Sequence, residues 1–326
     1  MDLSLKFRPK SWQEVIGQQA IISILQRQIA TKSWKNTYLF SGPYGCGKTT
    51  VARILANEIN NGLGDPIEID GASNNGVDNI RNLIIDAQQC PIDCDYKVYI
   101  IDEAHQLTRA AWDASLKLIE EPPLSAIFIF CTTNIEKIPK TILSRVQTFQ
   151  FRRVDTETIF DRLQFIMNEE FPDKEYELDA LKRIAMLSDG HVRDSIKLLD
   201  KCLDASDSLT LSNVETILGL VKSESMIILN NAIVNKNLDD CLKELNHIKS
   251  YSSDLSKVFD DFINFSIDNA ITSNRMSGVF LNFSNKAVLD KKTNYLLVNR
   301  LMAFRKYLNS SNAEAIFKTI FLEMCE

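Results

Sequence analysis

The chain has 326 residues, enough for two or three domains that each bury a core. Hydrophobic residues make up 45% and charged residues 25%, which is typical of a globular protein. Because 43 acidic residues outnumber 37 basic ones, for a net charge of −6, the composition argues against a protein that covers nucleic acid with a broad positive surface.

Two features of the sequence bear on the compartment. No apolar run is long enough to cross a bilayer, and the segment Met1–Lys6 lacks the pattern of a signal peptide. The seven cysteines are scattered, which predicts reduced thiols in a cytoplasm. Cys90 and Cys94 form an isolated C-x-x-x-C pair, whereas a structural zinc site takes four ligands. We therefore expect neither a membrane segment nor a zinc site.

The first predicted strand, Thr37–Ser41, leads into a phosphate-binding motif. The segment Gly42–Thr49 fits the pattern G-x-x-x-x-G-K-[ST], and residues 50–56 have the apolar spacing of a helix. Glycines let the backbone turn its N–H groups toward phosphate oxygens, and the N-terminus of the helix attracts the same anion. The pattern predicts that Lys48 reaches the β- and γ-phosphates and that the Thr49 hydroxyl binds Mg²⁺. We expect a nucleoside triphosphate to be bound by Gly42, Gly45, Cys46, Gly47, Lys48, Thr49 and Thr50.

The third predicted strand ends in two acidic residues. It follows a short strand at Ile67–Asp70 and a helix at Val77–Gln89, and its apolar run from Lys97 indicates burial on both faces. Ligands of open α/β sheets bind at the carboxyl ends of the strands. We therefore expect Asp102 to hold Mg²⁺ through water and Glu103 to polarise the attacking water. Without the phosphate loop, the pair would be equally consistent with two surface acids.

The next predicted elements complete an α/β domain. A helix at Arg109–Glu120 precedes a buried strand at Ala126–Thr132, and a last strand covers Thr148–Phe151. Thr133 and Asn134 directly follow the buried strand, where they would hydrogen-bond a γ-phosphate or the lytic water, although an ordinary loop start would look the same. Alternating strands and helices predict a parallel, doubly wound sheet.

From Asp155 onward the pattern is entirely helical. Three helices are predicted at residues 156–169, 178–188 and 192–203. Ser212 and Glu215 have the spacing of a capping box that opens a further helix. The remainder has helical periodicity with apolar faces typical of core and subunit contacts. Its predicted breaks lie near Asn235–Asn237, Ser250–Ser253 and Ser273–Gly278.

Taken together, these motifs resemble the AAA+ clamp-loader ATPases of the bacterial DNA polymerase III gamma/tau type. The resemblance runs in unbroken order over about Leu3–Gly219, and the helical remainder is similar to the collar of the family only by position and pattern. It implies an AAA+ P-loop domain at 1–154, a small helical lid at 155–209 and a helical collar or oligomerisation domain at 210–326. The segments that carry it are Phe7–Pro9, Val15–Gln18, Tyr38–Thr49, Glu68–Ser73, Lys97–His105, Leu118–Pro123, Thr132–Thr133, Ile142–Arg145 and Gly190–Asp194.

The resemblance also assigns roles around the nucleotide. Arg8, Val15 and Ile16 would border the adenine. Thr133 matches the sensor 1 position, with Asn134 beside it, and Arg193 matches sensor 2, which reaches the γ-phosphate from the lid.

Other roles implied by the resemblance lie outside the chain's own nucleotide site. Arg145 is similar to an arginine finger, which neutralises charge on ATP bound by the neighbouring subunit. The positions that face DNA in the family correspond to Asn75, Arg81, Thr108 and Arg109, although solvated helix surfaces would have the same sequence.

The function implied by the resemblance is that of the ATP-hydrolysing subunit of a clamp loader. Its cofactors would be ATP and Mg²⁺. Its partners would be other loader subunits in a ring or spiral, expected to be a pentamer, with a sliding clamp and primer–template DNA. A helicase is the first alternative, since Asp102–His105 matches a helicase box, but no second motor domain is predicted. A non-hydrolysing scaffold subunit is the second, and the presence of Lys48 and Glu103 argues against it.

Three departures from the family pattern are visible. Residues Asn60–Pro66 stand where cellular members carry a cysteine-rich zinc module, and Val146 replaces the cysteine of Ser-Arg-Cys. The chain also stops after the collar, without the tail that holds polymerase. We expect a minimal, phage-type version that works in a bacterial cytoplasm, or in that of the host if it is phage-encoded.

Overall fold

The computed structural model describes residues 2–252, 254–272, 291–309 and 311–326. The chain divides into two compact units. The first, called the sheet unit, comprises Met1–Glu170 and Ala185–Asp200. The second, called the helical unit, comprises Phe171–Ile184 and Lys201–Glu326. The division into three domains at residues 154 and 209 stays a prediction.

The sheet unit is built on five parallel strands in the order β2-β3-β4-β1-β5. Every residue of β1 and β4 is buried, which is why these strands read as continuous apolar runs rather than as alternating ones. The predicted parallel, doubly wound sheet is confirmed. The strands are β1 Thr37–Ser41, β2 Ile67–Asp70, β3 Lys97–Asp102, β4 Ala126–Thr132 and β5 Gln147–Gln150.

Helices cover both faces of this sheet. Successive side chains of a strand point to opposite faces, so Tyr38 and Phe40 pack in one core while Leu39 packs in the other. The first core also contains apolar residues of α2 and α3, and the second contains those of α4 and α5. The helices up to residue 205 are α1 Leu3–Lys6, α2 Gln19–Ala30, α3 Lys48–Ile59, α4 Val77–Ala87, α5 Arg109–Glu120, α6 Lys140–Leu143, α7 Thr156–Glu170, α8 Leu178–Leu187 and α9 Val192–Ala205.

The helical unit has a core of its own, centred on buried phenylalanines. The predicted break at Asn235–Asn237 falls between helices. The break predicted at Ser250–Ser253 begins inside α12, which ends at Tyr251, and Ser253 and the break at Ser273–Gly278 lie outside the described residues. Within the described ranges, no helix is both long and apolar enough to span a membrane. The helices of the helical unit after residue 205 are α10 Leu211–Ile217, α11 Ser223–Val234, α12 Leu238–Tyr251, α13 Leu255–Thr272, α14 Lys291–Arg305 and α15 Ala313–Cys325.

The capping box predicted at Ser212 and Glu215 is wrong. Helix α10 is capped by Thr210, whose Oγ1 accepts from the Asn213 N–H at 3.2 Å. Glu215 is only 3% exposed, and its carboxylate accepts from the Ser223 N–H at 3.2 Å and from the Ser223 hydroxyl. Burial raises the pKa of Glu215. The acid therefore links α10 to the start of α11 instead of closing its own helix.

We expect Phe317→Ala to destabilise the helical unit by about 3–5 kcal/mol, because it leaves a cavity in a packed core. The Phe317 side chain is fully buried, with its ring centroid 5.0 Å from that of Phe259 and 5.7 Å from that of Phe321. Urea unfolding followed by circular dichroism measures the loss. The matched control is Leu322→Ala on the same helix, which is 47% exposed and should change stability by less than about 0.5 kcal/mol. Equal losses in the two variants would contradict the prediction.

Candidate functional site

The parallel register brings the predicted site segments to one edge of the sheet. Ser41, the last residue of β1, is paired with Thr132, the last of β4, and Asp70 is paired with Asp102. The loops that follow these strands therefore emerge side by side. This places the phosphate loop, the two acids after β3 and the polar pair after β4 together, although the sequence separates them by many residues.

The phosphate loop is tightly folded against its own lysine. Gly42 has a φ of +145°, and a Cβ there would lie 2.4 Å from the Phe151 carbonyl oxygen, so only glycine fits. Lys48 is 6% exposed, and its Nζ donates to the carbonyl oxygens of Gly42 and Pro43 at 2.8 and 2.7 Å. The ammonium group is thus held at the loop where the motif expects phosphate.

A hydroxyl and a carboxylate meet at the start of α3. The Thr49 Oγ1 donates to the Asp102 Oδ2 at 2.7 Å, and the Asp102 Oδ1 accepts from the Glu103 N–H at 2.9 Å. Mg²⁺ in nucleotide sites takes one or two protein oxygens and completes its shell with water and phosphate oxygens. The donor set of Thr49 and Asp102 fits that requirement.

Glu103 leaves the end of β3 in a left-handed conformation, with φ +46° and ψ +41°. Such a backbone is uncommon for a residue other than glycine. The Glu103 Oε2 accepts from the Thr133 Oγ1 at 3.2 Å and lies 3.2 Å from the His105 Nδ1. The Thr132 Oγ1 is also 3.2 Å from that nitrogen. The carboxylate is therefore oriented by residues at the ends of β3 and β4.

Thr133 and Asn134, the two polar residues after β4, make different contacts. Thr133 reaches the Glu103 carboxylate, whereas the Asn134 Oδ1 accepts from the Glu136 N–H at 3.1 Å and caps the short helix Ile135–Lys137. The structure therefore brings Thr133 to the acidic site. The role of Asn134 in nucleotide binding stays a prediction.

A cavity of about 310 Å³ opens beside the phosphate loop. Arg8, Val15 and Ile16, the residues predicted to border the adenine, all line it. The Arg8 Nε donates to the Thr50 Oγ1 at 3.2 Å. Burial, with a further contribution from the Arg53 guanidinium, lowers the pKa of Arg8. The cavity thus brings several cations together, as a polyphosphate site requires, and it is lined by acids as well.

Most of the predicted loop residues also lie at this cavity, whereas Gly42 is not among the residues that line it. Gly45, Cys46, Gly47, Lys48 and Thr49 line it, together with the acids Asp102 and Glu103. Cys46 is buried, and its Sγ lies 2.8 Å from the Pro43 carbonyl oxygen. Burial raises the pKa of the Cys46 thiol, which makes this side chain a packing group rather than a nucleophile.

Arg193 reaches the cavity from the first turn of α9. Its backbone N–H lies 3.4 Å from the Gly45 carbonyl oxygen. Two neighbours that sequence reasoning missed lie here as well, since the rings of Tyr44 and His191 stack with centroids 4.0 Å apart. The sequence points to these two residues only through their neighbours. Tyr44 lies within the phosphate loop, and His191 precedes Arg193 by two residues.

Arg145 does not line the cavity of its own chain. Its Nε donates to the Glu120 Oε1 at 2.6 Å, and its Nη1 donates to the Thr141 carbonyl oxygen at 2.7 Å. The side chain keeps 39% of its surface exposed. Arg145 is thus an oriented guanidinium at the surface.

The four candidate DNA-facing residues are exposed and lie on two joined segments. The Asn75 carbonyl oxygen accepts from the Thr108 N–H at 3.1 Å, which ties the loop before α4 to the start of α5. Arg109 is the first residue of α5. Arg81 lies on α4 and forms a 3.1 Å ion pair with Asp78, where both side chains are largely exposed.

Comparison with known proteins identifies relatives of this chain. The family model described as "DNA polymerase III, delta subunit" matches residues 65–155. The DNA polymerase III subunit tau of Bacillus subtilis is 38% identical over 279 residues, which is 79% of this chain and 49% of that protein. The DNA polymerase III subunit gamma of Buchnera aphidicola subsp. Acyrthosiphon pisum is 33% identical over 286 residues, covering 81% of this chain and 78% of that protein. The chain thus spans about half the length of the tau relative but most of the gamma relative.

A solved structure is similar in fold. The Holliday junction branch migration motor RuvB of Thermotoga maritima superposes with a TM-score of 0.55 at 22% identity, over 70% of this chain and 79% of that one. This likeness concerns the fold alone.

Proposed function

Because the chain belongs to the DNA polymerase III gamma/tau family, we propose that it is the ATP-hydrolysing subunit of a sliding-clamp loader. In this role it opens the clamp and loads it at primer–template junctions during DNA replication. The observation that carries the proposal is the nucleotide site at the sheet edge. There Lys48 lies on the phosphate loop, Thr49 contacts Asp102, and the Glu103 carboxylate faces Thr133.

Binding of ATP rests on the loop and its cations. The Lys48 ammonium exchanges its two loop carbonyls for oxygens of the β- and γ-phosphates, and the N–H groups at the start of α3 receive the same phosphates. Thr49 and Asp102, whose side chains are in contact, are the residues that would hold Mg²⁺, Asp102 through water. When bound, Mg²⁺ neutralises charge on the β- and γ-phosphate oxygens. Arg8, Val15 and Ile16 enclose the adenine.

Hydrolysis rests on Glu103 and on two arginines. The Glu103 carboxylate accepts a hydrogen bond from the attacking water and aims its oxygen at the γ-phosphorus, while Thr133 keeps the carboxylate oriented. Arg193 meets the γ-phosphate from the same chain. Arg145 serves the neighbouring subunit, which its exposure outside its own cavity supports. Water adds to the γ-phosphorus as the bond to ADP breaks, which yields ADP and phosphate.

The proposed partners follow from the role of Arg145 at the nucleotide site of a neighbouring subunit. A site completed by an arginine from another chain requires other loader subunits, which we propose form a ring or spiral of five. The sliding clamp and primer–template DNA are its substrates, and the bacterial or host cytoplasm is its place of action.

The test is ATPase activity of the assembled complex with and without primed DNA and clamp. A loader should hydrolyse ATP fastest when both are present. Hydrolysis stimulated by DNA alone, with strand separation, would favour a helicase. No hydrolysis under any condition, matching a Lys48→Ala control, would favour a scaffold subunit.

We expect Arg81→Ala and Arg109→Ala to weaken DNA binding regardless of base sequence and to reduce DNA stimulation of the ATPase. The overall charge is negative, so DNA must be held by a few local cations. Each lost phosphate contact should lower the slope of log K against log salt by about 0.9 on duplex DNA. The exposed Arg81–Asp78 pair does not prevent this, because such surface pairs contribute little. Binding titrations at several salt concentrations measure the slope.

The matched control is Arg27→Ala, an equal charge change on α2, which packs against the opposite face of the sheet from α4 and α5. It should leave the slope unchanged, and none of the three variants should change basal ATP binding. If Arg81→Ala and Arg109→Ala also keep the wild-type affinity and slope, DNA is bound elsewhere.

A further inference from the structure

An aromatic pair joins the phosphate loop to the segment that carries Arg193. The rings of Tyr44 and His191 lie 4.0 Å apart and are nearly parallel, with an interplanar angle of 7°. The His191 Nδ1 also lies 2.7 Å from the Tyr44 carbonyl oxygen. A carbonyl oxygen only accepts, so the Nδ1 carries the proton and donates. His191 is 5% exposed, whereas 55% of the surface of Tyr44 is exposed to solvent.

Neighbouring residues extend this contact. The Arg193 N–H lies 3.4 Å from the Gly45 carbonyl oxygen, and a Cβ added at Gly45 would lie 3.5 Å from the His191 Cβ, so the loop backbone lies close to the start of α9. The negative charge of the nearby Asp194 carboxylate raises the pKa of Tyr44. We call Tyr44, His191 and Asp194 the clasp.

The cavity contains charges of both signs. Arg8, Arg53, Lys48 and Arg193 line it, and the positive charges of Arg53 and Arg193 both act against the protonated form of Arg8. The cavity is also lined by four acids that offset part of this repulsion, Glu14, Glu68, Asp102 and Glu103, and Glu68 pairs with Arg53. The repulsion that remains favours withdrawal of the Arg193 turn before an anion enters, and the ring stack and the hydrogen bond from the His191 ring oppose that withdrawal.

We propose that Tyr44 and His191 are positioning residues that hold Arg193 at the phosphate loop before a nucleotide binds. The proposal rests on the role of Arg193 proposed above. A guanidinium that is already in place does not have to be ordered when the ligand binds. Preorganisation of Arg193 therefore raises the affinity for the ligand group that Arg193 contacts. That group is the γ-phosphate, so the clasp selects ATP over ADP.

The first test is hydrogen exchange of the nucleotide-free protein. The clasp predicts that Tyr44→Ala and His191→Ala speed exchange of the backbone amides of residues 193–197 by roughly tenfold, since loss of a local contact favours local opening. Tyr44→Phe keeps the ring and should retain most of the protection. Unchanged exchange in both alanine variants would overturn the proposal. This measurement needs no clamp, DNA or hydrolysis, so it stands or falls separately from the proposed loader function.

The second test separates positioning from mere support of the loop. Calorimetric titration with ADP and with a non-hydrolysable ATP analogue, both with Mg²⁺, gives the selectivity of each variant. Tyr44→Ala should lower the preference for the ATP analogue roughly tenfold, a common size for coupling between groups. In an Arg193→Ala background the same change should have no further effect. If Tyr44→Ala lowers the affinity for ADP and for the ATP analogue equally, with Arg193 present and with Arg193→Ala, the clasp only supports the loop. That result would overturn the proposal.

A third variant covers the case in which Tyr44→Ala does not fold. His191→Phe keeps an aromatic ring on Tyr44 and removes the hydrogen bond to its carbonyl oxygen. Faster exchange and lower selectivity in this variant support the clasp, and wild-type values for both contradict it.

Discussion

Arg145→Ala should leave ATP binding intact and slow hydrolysis by about 10³–10⁵-fold, the range that an arginine finger contributes. The side chain lies outside its own nucleotide cavity, so its loss does not remove a contact to the ATP of the same chain. Its guanidinium is nevertheless oriented, by Glu120 and by the Thr141 carbonyl oxygen, and 39% of the side-chain surface is exposed. Nucleotide titration and steady-state hydrolysis of the assembled complex measure the two quantities.

Mixed assemblies test whether Arg145 acts between chains. A Lys48→Ala subunit does not turn over its own ATP but still presents Arg145 to its neighbour. Mixing it with Arg145→Ala subunits should therefore restore part of the activity that neither variant has alone. Lys140→Ala, which removes an exposed cation at the start of α6, shortly before Arg145 in the chain, is the matched control and should remain active. If mixing restores nothing, the assignment between chains is wrong.

Glu103→Gln should retain ATP binding while turnover falls by about 10²-fold or more, the scale of lost general-base catalysis. Glutamine has a similar shape, and its amide oxygen still accepts from Thr133, but it lacks the charge that orients the lytic water. Lys48→Ala should instead weaken binding itself, because the ammonium lies on the phosphate loop. Equilibrium binding and single-turnover hydrolysis distinguish these outcomes.

The control for Glu103→Gln is Glu136→Gln, which removes an exposed carboxylate in the loop after β4. This variant should hydrolyse ATP at the wild-type rate, since its side chain is not among the residues that line the cavity. Near-normal turnover in Glu103→Gln would show that another group orients the water.

Much of the sheet unit was predictable because its signals are local. Continuous apolar runs such as Ala126–Thr132 identify buried parallel strands, and the glycine spacing around Lys48 identifies the loop that follows the first of them. The position of Asp102 and Glu103 at the end of an apolar strand predicts that they lie at the ligand-binding edge of the sheet. The roles of Arg193 and Arg145 came from family resemblance, since an arginine in a helical pattern is indistinguishable from a surface charge.

Tertiary structure decided which polar groups meet. Of the two residues after β4, Thr133 donates to the Glu103 carboxylate, whereas the Asn134 side chain accepts from the Glu136 N–H. Such choices depend on which donor lies within about 3 Å, and residue spacing along the chain does not specify that distance. The stack of Tyr44 on His191 joins residues 147 positions apart, and no periodic pattern encodes a pair at that separation. Local patterns therefore determined the strands and the phosphate loop, whereas the packing of distant segments decided the partners of each side chain in the site.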